Sequence, residues 1–229
     1  MKKRIYIKID EEQNAITYMG ISFLDFVRYL TIQLDNILII KADCVGNNSF
    51  MNFELFEGKN EILKLSEDEK LYKYGDFCFV DYSDSKKLKE ISQEEIAEIL
   101  YLGHMFEPMR TPFFEALNNR FVYLSHDDDY CCRVFFRELS DFFEVLERKI
   151  IHSIESATNI KVELSKYAKQ MLHELSFTGM VIDFDSIRIK SEGVSLDVWE
   201  VGTYKDMDQL INEIDQIKKN VRSESLLIS

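Results

Sequence analysis

Residues Lys3 to Asp10 alternate polar and apolar, with Ile5, Ile7 and Ile9 on one side, and this period of two predicts a strand. A turn at Glu11-Glu12-Gln13-Asn14 leads to a second short strand, Ala15 to Met19. The period then changes. Phe23, Phe26, Val27, Leu30 and Leu34 recur at helical spacing behind Ser22, a side chain suited to cap the first turn. Ile37 to Val45, Met51 to Phe56 and Phe77 to Tyr82 read as strands, with a helical turn over Asn60 to Leu65.

Ser92-Gln93-Glu94-Glu95 spells a capping box, and Ile91 can staple onto Ile96, so a helix is expected to run from there to Met105, before Pro108. Thr111-Pro112 predicts a shorter helix through Asn118, because proline suits the first helical position. Arg120 to His126 and Tyr130 to Arg137 predict a hairpin. Leu139, Phe142, Phe143, Leu146, Ile150 and Ile154 mark a long helix, and Leu164, Tyr167, Ala168, Met171, Leu172 and Leu175 mark another, stopped at Thr178-Gly179. Val181 to Lys190 and Val194 to Val201 are expected strands, Asp206 to Val221 a final helix, and Arg222 to Ser225 a loose end.

The fold expected is α+β: mixed or antiparallel sheets with several amphipathic helices, arranged as two closely packed lobes. Residues 1–90 would form an N-terminal α+β lobe and residues 91–229 a helix-rich C-terminal one, meeting near Glu90. With 46% hydrophobic and 13% aromatic residues there is ample material for a core.

Charge narrows the partners. Forty-one acidic residues against 28 basic ones give a net charge of −13, which disfavours nucleic acid and anionic membranes. The N-terminus has a basic start but no apolar signal core, and no apolar run approaches a membrane span. Cys44, Cys78, Cys131 and Cys132 form no metal-type CxxC, so they read as reduced thiols of a cytoplasmic protein. No cofactor is implied: GxSxG, GxxxxGK[ST], GxGxxG and HExxH are all missing.

The run YLSHDDDYCC, Tyr123 to Cys132, concentrates candidate chemistry. A three-residue loop at Asp127 to Asp129 would set His126 opposite Tyr130, Leu124 opposite Cys132 and Val122 opposite Val134. Cys131 and Cys132 would then point to opposite faces, badly placed to bridge or to clamp one metal. Aspartates suit turns, which makes the run a turn first. A competing arrangement joins His104 and Glu107 to His126 and Asp127 (or Asp129) as a divalent-metal site that activates water, with Arg110 holding an anionic substrate. His152 and His173 read as surface residues, and Trp199, beside Ser195 and Asp197 in its strand, as an interface anchor or a core residue.

Three blocks, YGDFCFVDY (Tyr74 to Tyr82), EIAEILYLGHMFEPMRTPFFEALNNRFVYLSHDDD (Glu95 to Asp129) and WEVGTYKDMDQL (Trp199 to Leu210), resemble a poorly characterised family of small bacterial proteins, some labelled oxalate:formate antiporter. The resemblance carries over no activity or site residue. Its label implies membrane passage, whereas the residues themselves offer no spanning segment.

The leading expectation is a non-catalytic, acidic cytoplasmic protein that binds another protein, possibly basic, in the manner of an inhibitor, immunity factor or antitoxin. Asp127, Asp128, Asp129, Glu144 and Trp199 are its candidate contacts, within an acidic hairpin-helix unit that also holds Glu138, Asp141 and Glu147. The alternatives are a metal-dependent hydrolase or phosphoesterase using His104, Glu107, His126 and Asp127, and a small-molecule sensor in a cleft between lobes.

Overall fold

The computed structural model describes residues 4–32, 34–45, 48–68, 76–126, 130–191, 193–204, 209–210, 213, 216 and 223–228. Among these residues ten strands form one sheet in the order β10-β9-β8-β1-β2-β7-β6-β5-β3-β4, and every neighbouring pair is antiparallel. The strands are β1 (Arg4–Asp10), β2 (Ala15–Met19), β3 (Asn36–Val45), β4 (Asn48–Glu57), β5 (Phe77–Tyr82), β6 (Phe121–His126), β7 (Cys131–Phe136), β8 (Met180–Lys190), β9 (Gly193–Glu200) and β10 (Ser223–Ile228). The helices are α1 (Phe23–Tyr29), α2 (Lys59–Ser66), α3 (Gln93–Met105), α4 (Leu139–Thr158) and α5 (Lys166–Thr178), with a 3-10 turn at Ser85–Lys89. The protein is α+β, as its patterning predicts.

The alternation along each strand sorts side chains into two apolar faces. Ile5, Ile7 and Ile9 join Tyr18, Val134, Tyr123, Phe79, Ile39 and Ile182 on one face, under α1, α2, α4 and α5. Tyr123 stacks on Phe79 at 5.0 Å between ring centres, and Phe26 of α1 meets Tyr123 edge-on at 5.4 Å. Val122, Leu124, Cys78, Val80, Leu38 and Ile40 face the other way, beneath Ile99 and Leu102 of α3 and Phe114 and Leu117. Farther along that face, Tyr6, Met19, Val181, Trp199 and Leu210 form a third cluster.

Capping fixes the helix starts where the sequence places them. Ser22 and Ser92 each close a reciprocal capping box, with Asp25 and Glu95 as partners, and Ser165 accepts from the Ala168 N–H. Left-handed residues end α3 at Phe106 (φ 53°) and α4 at Asn159 (φ 58°).

Four expectations are corrected. The boundary near residue 90 does not part the sheet, because β1 and β2 sit between β8 and β7 and have both outer edges hydrogen-bonded to later strands. Thr111 to Asn118 is a loop and turn, because Asn119 holds the chain open there, as described below. The β6–β7 hairpin pairs His126 with Cys131 and Ser125 with Cys132, one residue out of the expected register. Finally, the segment expected to fray contains β10, laddered to β9 from Ser223↔Trp199 to Ile228↔Val194. Of the expected last helix, Gln209, Leu210, Glu213 and Gln216 are described and helical.

Candidate interaction surface

At the hairpin tip, Asp127, Asp128 and Asp129 lie outside the described residues. His126 is described: its Nδ1 lies 3.5 Å from the Asp76 carboxylate, and its ring packs 5.0 Å from Phe106. Because Phe106 breaks α3 in the left-handed region, His104 and Glu107 do not share a helical face, and both are exposed. Among the described residues no group of three or more His, Cys, Asp or Glu side chains could hold a metal ion. The expected set of His104, Glu107 and His126 is therefore not brought together, and Arg110 pairs with Glu98 at 3.5 Å. Cys131 and Cys132 do point to opposite faces: the Cys132 sulfur lies 3.1 Å from the Tyr123 hydroxyl in one core, and Cys131 is half-buried against the Tyr6 and Trp199 cluster.

One expected partner contact, Trp199, and one acid of the hairpin-helix unit, Asp141, move inside. Trp199 is only 2% exposed. The Arg4 guanidinium lies 5.4 Å from its ring, and the Tyr6 hydroxyl donates to Gly202 O and accepts from the Tyr204 N–H, tying the chain after β9 across this cluster. Trp199 is thus a core residue and offers no surface anchor. Asp141 is 5% exposed, because Arg120 at the start of β6 reaches it with a 2.8 Å ion pair. Glu144, one turn on, stays exposed and accepts from the Thr31 hydroxyl.

Two polar residues without any sequence signal organise the loop between α3 and β6. Asn119 is fully buried: its Oδ1 accepts from Phe114 N–H at 2.7 Å, and its Nδ2 donates to Pro112 O and Phe121 O. Asp81 accepts from the Phe121 N–H at 2.6 Å and the Arg120 N–H at 3.0 Å. Burial pushes its carboxyl up from 3.8 to about 7, against the opposing pull of those amides and of the Arg120 charge. Both residues serve position rather than chemistry, since their polar atoms are spent on backbone groups.

A cavity of about 510 Å³ opens between α4 and the sheet, lined in part by Arg4, Tyr130, Lys149, His152 and Ser156. Its cations are matched by carboxylates: Lys149 pairs with Asp25 at 2.7 Å and Arg4 with Asp183 at 3.6 Å. It lies between a helix and one continuous sheet, not between lobes.

The most distinctive surface lies at the β4 edge of the sheet. Phe53 is opposite Ile40 and Leu55 opposite Leu38, so both lie on the face that α3 covers. Ile40 and Leu38 are buried, whereas Phe53 and Leu55 remain 46% and 51% exposed. On α3 the flank bearing Glu95 and Glu98 is turned to the 106–119 segment: Glu95 accepts from Ala116 N–H, and Glu98 meets Arg110. Ile96 and Leu100 occupy the opposite flank and are 46% and 41% exposed. Phe53 and Leu55 therefore stand uncovered on a sheet edge where, among the described residues, no further strand pairs, and Ile96 and Leu100 stand uncovered on the helix that lies over the same face. The reverse face of β4 is closed by α2, whose Ile62 is fully buried and whose Leu63 and Leu65 join Phe56 at the rim of that core.

No family model matches the sequence, and neither curated proteins nor solved structures show a significant match to it. Among the described residues no helix is long and apolar enough to cross a membrane.

Proposed function

We propose that this protein acts by binding another protein, as a non-catalytic inhibitor, immunity factor or antitoxin of the cytoplasm. The observation that supports this reading best is the exposure of Phe53 and Leu55 on the β4 edge and of Ile96 and Leu100 on the helix over the same face, since apolar side chains left uncovered in this way suit a contact site. A net charge of −13 favours a basic partner. Apolar anchors at the β4 edge supply affinity, while Asp127, Asp128, Asp129 and Glu144 speed encounter through the long-range field.

The test is a comparison of the protein with a Leu55→Ser, Leu100→Ser variant. Proteins crosslinked to each in an extract of the source cells are identified, and each candidate is then purified and titrated. We expect at least one stoichiometric partner that the double variant binds at least ~tenfold more weakly, the loss of about 1.4 kcal/mol of apolar contact. Equal affinity of both proteins for every confirmed partner overturns the assignment of this surface.

A further inference from the structure

We propose that the occupant of this surface is an extended, Lys- or Arg-bearing segment of another protein that joins the sheet as a strand against β4; this rests on the protein-binding reading above. The argument begins with the ladder. The Gly58 N–H donates to Asp35 O, which makes Asp35 and Gly58 a hydrogen-bonded pair in line with the β3–β4 register. Bonded and non-bonded pairs alternate in an antiparallel ladder, so Glu57, Leu55 and Phe53 fall in pairs whose N–H and C=O groups point away from β3. The residues that present apolar side chains beside α3 are therefore also the ones that present backbone donors and acceptors to the open side.

Natural edges are commonly blunted by lysine, proline or a bulge. β4 reads NSFMNFELFE, with neither lysine nor proline, and its register with β3 runs unbroken from Asn36↔Glu57 to Val45↔Asn48. A strand laid about 4.8 Å beyond it would meet the outward amides, and its alternate side chains would meet Phe53 and Leu55. The charged residues of β4 are both carboxylates: Glu57 shares the α3 face with Leu55 and Phe53, and Glu54 lies on the reverse face. An added strand matches this edge with apolar residues opposite Phe53 and Leu55 and a basic residue opposite Glu57, on a protein whose net charge is −13. A second copy of this chain is not matched, because two β4 edges would bring like carboxylates together on two chains of the same sign.

The probe is a short peptide of alternating Lys and Val, titrated into the intact protein while backbone amide exchange is followed by NMR. In the free protein, the Phe53, Leu55 and Glu57 amides should exchange quickly, and saturating peptide should slow them at least ~tenfold. The same peptide N-methylated at alternate residues keeps its charge and apolar content but loses one edge of donors, and should bind at least ~tenfold more weakly. Leu55→Pro, whose lost N–H points away from β3, should weaken the parent peptide likewise; the N-methylated peptide tests the same bond on the unaltered protein if that variant folds badly. Equal binding of both peptides, or no protection at the three amides, overturns strand addition. If a partner confirmed by titration then depends on Leu100 but tolerates Leu55→Pro, the protein-binding reading survives without it. Protection of the same amides with no peptide present, in a protein that sediments as a dimer, overturns the choice of occupant.

Discussion

Asp81 gives the sharpest test of the energetics. Its carboxyl is buried, and its folded value of about 7 stands well above the 3.8 it has when solvated. Between those values the folded protein holds a proton that the unfolded chain has released, so stability falls as pH rises. This contribution is fully present below pH 3.8, is lost as pH rises through about 7, and is flat above that. The whole span corresponds to roughly 4 kcal/mol, of which about 2 kcal/mol falls between pH 5 and pH 7. Asp81→Asn removes the titration while leaving Oδ1 to accept from the Phe121 and Arg120 N–H groups; its NH₂ replaces Oδ2, the second acceptor of the Arg120 N–H, so the variant starts from a lower stability. Urea unfolding of both proteins, followed by the fluorescence of Trp199, gives the difference at each pH and cancels every other titration the two share. The gap between them should shift by about 2 kcal/mol in favour of the variant from pH 5 to pH 7. Parallel profiles would show that the two amides and Arg120 hold Asp81 ionised in the fold, and would refute the claim that burial dominates.

Two further outcomes follow from local geometry. Gly179→Ala should cost about 3 kcal/mol or more and lower Tm by roughly 10 °C in calorimetry, because φ is +100° and the new Cβ would lie 2.0 Å from Gly202 O; Gly58→Ala, at φ +85° and ψ 145° with open space around it, should cost less, about 2 kcal/mol of backbone strain alone. In native protein iodoacetamide should modify half-buried Cys131 before Cys78 or Cys132, which are fully buried, with the Cys78 thiol pushed up by burial as well; peptide mass mapping over time reads the order, and early modification of Cys78 would contradict it.

What could be read from the chain is what is encoded locally. Ser22 and Ser92 announce their helices through side chains three residues from the amides they cap, and Ile5, Ile7 and Ile9 announce an inward face by period alone. What could not be read depends on segments far apart. Ser195 and Asp197 made the second face of β9 look solvated, yet the chain following β9 returns over Trp199 through the Tyr6 hydroxyl. Asp141 lies on the polar side of α4 by helical spacing, but the Arg120 guanidinium reaches it. The hairpin register turned on whether Tyr130 belonged to the strand or to the loop, a choice hydrophobic pattern leaves open. The β4 surface carried no signature at all, since exposed Phe53 and Leu55 look like core residues until one knows that β4 is an edge.

The placement of β1 and β2 in mid-sheet has a consequence for how the protein comes into being. Ile16 of β2 must wait for Val134, and Ile5 of β1 for Ile182. At a synthesis rate of ~5–20 residues per second, the first hairpin leaves the ribosome roughly 10–35 seconds before its second flank exists. Until β7 emerges it is a two-stranded ribbon with both edges bare, too small to be stable alone, and from then until β8 emerges its β1 edge remains a ready template for the wrong strand. Nascent chains halted after α4 should therefore carry β1 with one open edge, and they should need a chaperone's shelter more than the finished protein does.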